Sequence, residues 1–275
     1  MPELAEVEFF RRRWHEAADG HVVATVQAHA TKKIFRQAPA RLVQEGLVGQ
    51  PFAGSEARAK QMAFRFGADR WLGIHLGMTG ELFVAPADYH AGPHDHLTLH
   101  LDHAGVLVFR DPRMFGNVRW HQGPDEPSWW RSIAPSLLSS AFDRPALSAF
   151  LDRRARAPIK AVLLMQERFP GIGNWMADEI LWRAAIHPAR LAGSLDEAER
   201  RRLYREIRQV CRLALAKIAG IGSDLPPDLN IHIPDSWLFN HRWEDGGRCP
   251  RTNAPLVREE IGGRTTCWSP GRQSL

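Results

Sequence analysis

The sequence predicts an α+β protein with several domains: an antiparallel β-domain, a helical domain and a small terminal β-hairpin. Three observations favour this fold class. Apolar residues alternate with polar ones in the first half of the chain, and they recur at helical spacing in the second half. Glycine pairs at 246–247 and 262–263 then mark turns in the last segment. The length of 275 residues suggests two domains with enough chain for a buried core.

An amphipathic helix opens the chain. Its apolar residues recur at helical spacing from Leu4 to Trp14. Pro2 suits the first turn of a helix, and the carboxylates of Glu3 and Glu6 are favourable at the positive end of the helix dipole.

Short strands follow this helix. Alternating runs cover residues 22–28 and 71–78, and a run at 97–101 joins another at 106–110 through the turn 102–105. Short strands joined by turns imply an antiparallel sandwich or barrel. The alternation stops between residues 121 and 136, where glycine and proline cluster, and we interpret this stretch as a linker.

Beyond the linker the pattern is helical. Ser194 and Glu197 have the spacing of a capping box, which predicts the start of a helix. The apolar stripe of that helix is Leu203, Ile207, Val210 and Ala214. Its other face carries six arginines, for which a solvated face is the simpler interpretation. The predicted domains are residues 1–132, 133–236 and 237–275.

Charge restricts the classes of partner. The chain has 36 Lys plus Arg against 31 Asp plus Glu, a formal net charge of +5, and 31 of its basic residues are arginine. Because arginine binds phosphate in bidentate fashion, this bias favours a nucleic-acid partner, although a GC-rich genome would produce the same bias.

Composition also restricts the compartment. No apolar run approaches the roughly 20 residues that span a bilayer, which excludes a membrane protein, and the N-terminus lacks the pattern of a signal peptide. Three cysteines at irregular spacing cannot build a disulfide framework. We therefore expect reduced thiols and a cytoplasmic or nucleoid location.

The N-terminal dipeptide carries a possible nucleophile. Removal of Met1 leaves the secondary amine of Pro2, and since an α-amino group titrates near about 7.7 to 8.0, part of it is nucleophilic at neutral pH. Such an amine can attack the C1′ atom of a deoxyribose, with Glu3 and Glu6 within reach for proton transfers. The alternative is a helix that begins with proline and acidic residues, which is common.

A glycine turn at 171–173 precedes a second candidate site. It delivers backbone N–H groups and the amide of Asn174 to the start of a helical segment, where a phosphate can bind. A turn between two packed helices would have the same pattern.

Several blocks in a fixed order carry a resemblance to a known family. The opening MPELAEVE resembles that of formamidopyrimidine-DNA glycosylases and endonuclease VIII. The resemblance covers nearly the whole chain and recurs at RAKQ (58–61), HLGMTG (75–80), HDH (94–96), DPRMFG (111–116), PIK (158–160), GIGNWMADE (171–179) and IHP (186–188).

The resemblance implies a β-sandwich, a helix-two-turn-helix domain and a C-terminal hairpin finger that clasp duplex DNA. It implies a Schiff-base nucleophile at Pro2, a catalytic carboxylate at Glu3 and a cation near the lesion phosphate at Lys60. The other implied DNA contacts are His75, Asn174 and Arg264, and the residues that fill the gap left by a flipped nucleotide are Met78, Arg113 and Phe115. Individually, these could instead be core residues, a turn residue or surface charges.

The finger departs from the family pattern. Many members bind zinc there through four cysteines, but the corresponding positions here are Cys249, Thr252, Ser269 and Arg272. One thiol cannot make a tetrahedral thiolate site. We expect a zincless finger, held by the packing of its apolar residues Trp268 and Leu256, and no metal or other cofactor.

Three segments, at 173–175, 237–239 and 262–266, resemble the plant and fungal branch of the family, which handles 8-oxoguanine poorly. Ala5 and Met114 also depart from the usual residues, and Met114 affects the expected contact to the opposite base. The loop expected to select the base, around residues 218–234, has no family motif that fixes its conformation.

We therefore expect a monomeric, bifunctional DNA glycosylase and abasic-site lyase of base excision repair. It would flip and excise oxidised bases, such as formamidopyrimidines and further-oxidised guanine products, and cut the strand by β,δ-elimination. Two alternatives stay open: a non-catalytic protein that binds damaged DNA, and a lyase restricted to abasic sites.

Overall fold

The computed structural model describes residues 2–29, 33–222 and 224–275. The chain forms two compact units, one of Met1–Ile133 with Ile221–Leu225 and one of Ala134–Gly220 with Pro226–Leu275. The boundary between residues 133 and 134 falls inside the predicted linker. None of the helices in the described ranges is long and apolar enough to cross a membrane.

The first unit is a β-sandwich with an N-terminal helix. Its elements are α1 (Leu4–Ala18), β1 (Val23–Ala28), α2 (Ala40–Leu47), β2 (Phe52–Arg58), β3 (Gln61–Phe66), β4 (Arg70–His75), β5 (Glu81–Ala85), β6 (Asp95–Leu101), β7 (Val106–Arg110), β8 (Asn117–Gln122) and α3 (Ser128–Arg131). The strands form two antiparallel four-stranded sheets, with the orders β1-β6-β7-β5 and β2-β3-β4-β8. Of the two predicted alternatives, the fold is therefore the sandwich and not the barrel.

Helix α1 confirms the predicted amphipathic helix but runs to Ala18. Its apolar face is buried, and the indole of Trp14 donates a hydrogen bond to the carbonyl of Phe83 on β5 at 3.1 Å. Pro2 lies just before the helix, not in its first turn, because Glu3 is the N-cap residue.

The hairpin of β6 and β7 is confirmed, and His103 occupies its turn with φ of +52°. The strand predicted over 71–78 is too long, since β4 ends at His75. Gly77 has φ of +67° and the N–H of Gly80 bonds to the carbonyl of Leu76 at 2.9 Å, so the chain turns there.

The stretch interpreted as a linker is partly structured. Strand β8 continues to Gln122, and helix α3 places Trp130 in the interior with the guanidinium of Arg58 4.8 Å from its ring centre. This part of the predicted linker therefore belongs to the first unit.

The second unit is helical and ends in a β-hairpin. Its elements are α4 (Arg144–Arg153), α5 (Ile159–Leu163), α6 (Asn174–Ala184), α7 (Glu197–Ala214), β9 (Val257–Ile261) and β10 (Arg264–Trp268), and a π-helical turn, Leu215–Ala219, continues α7. Gly262 and Gly263 form the two-residue hairpin turn with φ of +62° and +74°, the conformation of a type I′ turn.

The capping box of α7 lies two residues beyond the predicted one. Asp196 caps the helix and pairs with Glu199, whereas the hydroxyl of Ser194 bonds back to the carbonyl of Leu191 at 2.9 Å in a preceding turn. The predicted apolar stripe is buried as expected.

The basic face of α7 is only partly solvated. The guanidinium of Arg208 donates to the backbone carbonyls of Leu137, Leu138 and Ser139 at 2.9 to 3.0 Å. Arg202 bonds to the carbonyl of Ala184 at 3.2 Å. Some of these arginines therefore connect segments of the second unit.

Candidate functional site

The predicted nucleophile Pro2 and the predicted carboxylate Glu3 lie at the start of α1. Pro2 is half-buried, and Glu3 and Glu6 are 2% and 4% exposed. The two glutamates form a capping box in which Oε2 of Glu6 accepts from the N–H of Glu3 at 3.2 Å. The cap fixes the Glu3 carboxylate beside Pro2. It also gives the Glu6 carboxylate a structural task, so a proton-transfer role for Glu6 stays a prediction.

Lys60 and His75 are brought together by strand pairing. Lys60 is in the two-residue turn between β2 and β3, where Ala59 has φ of +58°. The next residue, Gln61, pairs directly with His75 across β3 and β4. The positive charge of Lys60 consequently acts on the imidazole.

His75 is held in its neutral form. Burial is the main cause that lowers its pKa from 6.5 to about 4, and the charges of Lys60, Arg119 and Arg36 act in the same direction. Its Nδ1 atom accepts a hydrogen bond from the N–H of Gly77 at 3.0 Å. In the neutral ring the proton is therefore on Nε2, which is left as a donor of the kind a phosphate or sugar oxygen accepts.

We expect His75 to make the protein sensitive to acid. Because its pKa is 6.5 unfolded and about 4 folded, the unfolded state binds more protons between these values, so stability falls as the pH drops from 6.5 to 4. The folding constant should fall by up to about tenfold per pH unit through this group. The stability of His75→Gln, measured by unfolding across this pH range, should fall less than that of the wild type. The stability of His90→Gln, a substitution at an exposed position, should fall as much as that of the wild type. Parallel curves for the wild type and His75→Gln would contradict this.

A buried aspartate organises the two loops that carry the predicted void-filling residues. Asp111 is fully buried. Its Oδ1 accepts from the hydroxyl of Thr79 at 2.8 Å and from the N–H of Arg113 at 3.3 Å, and its Oδ2 accepts from the N–H of Gly116 at 2.7 Å. The loops at 76–80 and 111–116 are therefore fastened to one carboxylate.

The tips of these loops are exposed. Met78 is 41% and Phe115 49% exposed, so the interpretation of these two as core residues is wrong. The guanidinium of Arg113 lies 4.8 Å from the centre of the Phe115 ring, which groups the two side chains. Large exposed apolar groups on fixed loops are suited to insertion between bases.

In the second unit, Asn174 and the finger hairpin meet. Asn174 begins α6, directly after the glycine turn, and its Nδ2 donates to the carbonyl of Thr265 at 2.8 Å. Its Oδ1 has no hydrogen-bond partner among the described residues. Arg264 is the exposed neighbour of Thr265 on β10, so the structure brings these two predicted phosphate contacts together.

A buried ionic cluster that sequence reasoning missed supports this arrangement. The carboxylate of Asp178 on α6 bonds to Nζ of Lys160, to the guanidinium of Arg242, and to the N–H of Cys267 on β10 at 3.0 Å. Lys160 also donates to the carbonyl of Asn174 at 2.7 Å. The signals in the sequence were the PIK block, which contains Lys160, and the GIGNWMADE block, which contains Asp178.

Salt dependence should separate the predicted cationic DNA contacts from the predicted neutral one. A phosphate contact made by a cation releases counterions, so Lys60→Ala and Arg264→Ala should each lower the slope of log affinity against log salt by about one unit. Asn174→Ala should weaken binding without changing the slope. Arg41→Ala, whose side chain is 84% exposed and pairs with Glu45, is the matched control. Slopes unchanged in both cation variants would mean that neither contacts phosphate.

The finger residues do not fit a zinc site. Cys249 is the single thiol among the four aligned positions, and the described residues contain no cluster of three His, Cys, Asp or Glu that could hold a metal. Leu256 is buried in an apolar cluster with Cys249 and Cys267, as expected. Trp268 also packs, as expected, but outside this cluster. The cluster contains Trp182 of α6, while Trp268 is half-buried and packs on His187, with ring centres 4.2 Å apart.

Two protein-family models together match most of this chain. The family model for the formamidopyrimidine-DNA glycosylase N-terminal domain matches residues 1–118, and the model for the formamidopyrimidine-DNA glycosylase H2TH domain matches residues 133–224. The chain belongs to the formamidopyrimidine-DNA glycosylase family. It is 32% identical over 280 residues to the formamidopyrimidine-DNA glycosylase of Alkalilimnicola ehrlichii, covering 99% of this chain and 100% of the relative. It is 37% identical over 278 residues to that of Symbiobacterium thermophilum, covering 100% and 90%.

Solved structures of formamidopyrimidine-DNA glycosylases have the same fold. The Lactococcus lactis enzyme in complex with DNA containing an oxidised pyrimidine has a TM-score of 0.85 at 27% identity, with 100% of both chains covered. A complex of that enzyme with abasic-site DNA has a TM-score of 0.85 at 26% identity, covering 99% of this chain and 100% of the other. These relatives are bacterial, and the resemblance to the plant and fungal branch stays a prediction.

Proposed function

We propose that this chain is a bifunctional DNA glycosylase and abasic-site lyase that acts on duplex DNA. The observation that carries the proposal is the N-terminus: in a chain of this family, Pro2 is followed by a buried Glu3 whose orientation a capping box fixes. The related enzymes crystallised with oxidised-base and abasic-site DNA support damaged DNA as the substrate.

The proposed reaction begins with Pro2. The nitrogen lone pair attacks C1′, the bond from C1′ to the damaged base breaks, and the base leaves with a proton. Loss of the proton on the proline nitrogen and opening of the bond from C1′ to O4′, with a proton delivered to O4′, then give an iminium and a free sugar hydroxyl. Glu3 is the carboxylate that carries these protons.

Strand cleavage follows from the iminium. Loss of a proton from C2′ expels the 3′ phosphate, and a second elimination expels the 5′ phosphate. Water then hydrolyses the iminium and frees Pro2. These reaction steps exchange no electrons with an outside donor, so the reaction needs no redox cofactor.

Base loss requires that the nucleotide leave the stack, which costs a few kcal/mol. Met78, Arg113 and Phe115 offset this cost by filling the gap, with Arg113 facing the orphaned base. Lys60, His75, Asn174 and Arg264 bind the DNA backbone. The preferred substrates are formamidopyrimidines and further-oxidised guanine products, with 8-oxoguanine a poor one.

A panel of duplexes, each with one lesion or one abasic site, tests the proposal against its two alternatives. A bifunctional enzyme releases damaged bases and is trapped on DNA by borohydride, which reduces the iminium to a stable amine. A lyase restricted to abasic sites is trapped but releases no base. A non-catalytic binder does neither, and either of these two results would overturn the proposal.

We further propose that the finger works without zinc. Metal analysis of chelator-treated protein should find far less than one zinc per chain, with strand cleavage undiminished, because a single thiol remains at the four ligand positions. Stoichiometric zinc whose removal abolishes DNA binding would show that the alignment of the finger, and the assignment of Arg264 with it, is wrong.

A further inference from the structure

One face of the sheet β2-β3-β4-β8 carries an arginine beside the predicted phosphate contact His75. Gln61 pairs with His75 across β3 and β4, and Gly73, two residues earlier on β4, pairs with Arg119 on β8. Paired residues lie on the same face of a sheet, and so do residues two apart on one strand. Arg119 therefore shares a face with His75, about 7 Å further along the strands.

Neutral groups hold the Arg119 side chain in place. Its Nε donates to the side-chain oxygen of Gln37 at 2.7 Å, and its Nη1 donates to that of Gln61 at 2.9 Å. The guanidinium lies 5.6 Å from the ring centre of Trp129. That ring occupies the space that a side chain in place of Gly73 would need. These contacts fix the orientation of the guanidinium and leave the N–H groups of Nη2 for another acceptor.

The positive charge of Arg119 has no carboxylate partner among the described residues. Burial is the main cause that lowers its pKa, and the charge of Arg36 acts in the same direction. The guanidinium nevertheless stays charged at neutral pH. By contrast, Arg58 on β2 of the same sheet pairs with Glu56 at 2.8 Å. A partly buried cation that lies near a second cation, and that no carboxylate compensates, is stabilised by a bound anion.

The neighbouring cations extend this positive surface. Arg36 is exposed, and its Nη1 donates to the carbonyl of Gly116, just before β8, at 2.8 Å. The charges of Arg36, Arg119 and Lys60 all act on His75. Positive charge is therefore continuous from the turn between β2 and β3 to β8. A surface of this kind fits a chain of phosphates better than a single small anion.

We propose that Arg119 binds a second DNA phosphate, distinct from the one expected at Lys60 and His75. This inference rests on the proposed function, because it extends the DNA-binding surface of that site. Gln37 and Gln61 are positioning residues that orient the guanidinium toward the phosphate oxygens. A contact of this kind fixes the register of the duplex on the protein and carries no sequence information.

The first test removes the charge of one phosphate at a time from a duplex that contains a non-cleavable abasic analogue. Methylphosphonate substitution does this, and the affinities of the wild type, Arg119→Gln and Lys60→Ala are measured for each duplex. One substitution should weaken the wild type by about tenfold and leave Arg119→Gln unaffected. Lys60→Ala should become insensitive at a different phosphate. If Arg119→Gln responds like the wild type at every phosphate, or is insensitive only at the phosphate of Lys60, the proposal is overturned.

The second test is the salt dependence of binding. Arg119→Gln should lower the slope of log affinity against log salt by about one unit, because it removes one contact between a cation and a phosphate. Gln61→Ala retains the cation and should weaken binding with little change in slope. Arg41→Gln, which removes an exposed charge paired with Glu45, is the matched control. An unchanged slope for Arg119→Gln would contradict the proposal.

Stability separates this role from a purely structural one. Because Arg119 lies near another cation and pairs with no carboxylate among the described residues, Arg119→Gln should leave the midpoint of thermal unfolding unchanged or slightly raised. A lower midpoint together with an unchanged phosphate profile would show that Arg119 only holds the structure.

A second variant keeps the proposal testable if Arg119→Gln fails to fold. Gln37 is exposed, and Gln37→Glu would place a carboxylate at the Nε of Arg119 and compensate its charge. The phosphate assigned to Arg119 should then become insensitive to methylphosphonate substitution. A profile identical to that of the wild type would overturn the proposal.

The outcomes can be distinguished from a failure of the proposed function. Binding to a non-cleavable analogue requires no catalysis, so a chain that binds DNA without cutting it would still show the phosphate of Arg119. An active enzyme without that phosphate contact would overturn only this inference. A chain that binds no duplex would overturn both.

Discussion

Replacing Glu3 by Gln is expected to lower base excision by roughly 100- to 10,000-fold while DNA affinity stays nearly unchanged. The carboxylate is the proposed proton carrier, and Gln cannot carry a proton in its place. The fold should survive because the carbonyl of Gln can still accept the capping hydrogen bond at the start of α1. Single-turnover excision and equilibrium binding to a lesion duplex provide the two measurements.

Two further variants on the same helix sharpen this test. Glu8→Gln removes a negative charge that pairs with Arg11, and excision should be nearly unchanged. Glu6→Gln keeps a capping side chain, so a large loss of excision would favour a proton-transfer role for Glu6 and no loss would favour a purely structural one. Equal losses of binding and turnover in Glu3→Gln would mean that Glu3 only holds the structure.

Blocking the N-terminus is expected to abolish covalent trapping altogether. A chain in which an uncleaved residue precedes Pro2 has an amide nitrogen in place of the secondary amine, and an amide nitrogen is not nucleophilic. Borohydride should crosslink the processed protein to abasic-site DNA through Pro2, which mass spectrometry of the adduct can locate. Pro2→Gly, with a primary amine, can retain part of the trapping.

Lys60 is the matched control for the nucleophile, because it is another amine with a predicted place at the lesion. Lys60→Ala should weaken DNA binding and still be trapped at saturating DNA. Trapping that survives a blocked N-terminus, and is lost only with Lys60, would transfer the nucleophile role to that lysine.

Parts of the fold with strong periodicity could be predicted from the sequence. The helix α1 and the β6–β7 hairpin have buried apolar residues at the spacing of their element, and both were found. Strand β2 was missed because it has no fully buried residue and contains Gly54, so its sequence does not alternate. Strand ends were also missed where a turn such as that at Gly77 interrupts an apolar run.

Local signals failed where two patterns competed. Ser194 and Asp196 each have a glutamate three residues later, and the helix is capped by Asp196. Leu195 is 3% exposed, and its burial places the preceding turn before the helix begins. The sequence pattern alone indicates neither the choice of Asp196 as the cap nor the burial of Leu195.

For the candidate site, the family resemblance identified residues, and the structure showed the hydrogen bonds that hold them in place. Asp111 was noted as part of the DPRMFG block, but its bonds to Thr79 and Gly116 join positions far apart in sequence. The same holds for Asp178, which connects α6 to β10. Long-range hydrogen bonds of this kind leave no spacing pattern in a single sequence.

The hydrogen bonds that hold two loops to Asp111 affect the entropic cost of the proposed DNA contacts. Fixing the backbone of one residue costs about 1 to 2 kcal/mol of conformational entropy. Because a buried carboxylate orders the loops of Met78 and Phe115, this entropy is lost when the protein folds. It is not lost again at each encounter with a duplex. In the proposed role of Met78 and Phe115, loops that are already ordered can sample many base pairs in succession without this entropic cost.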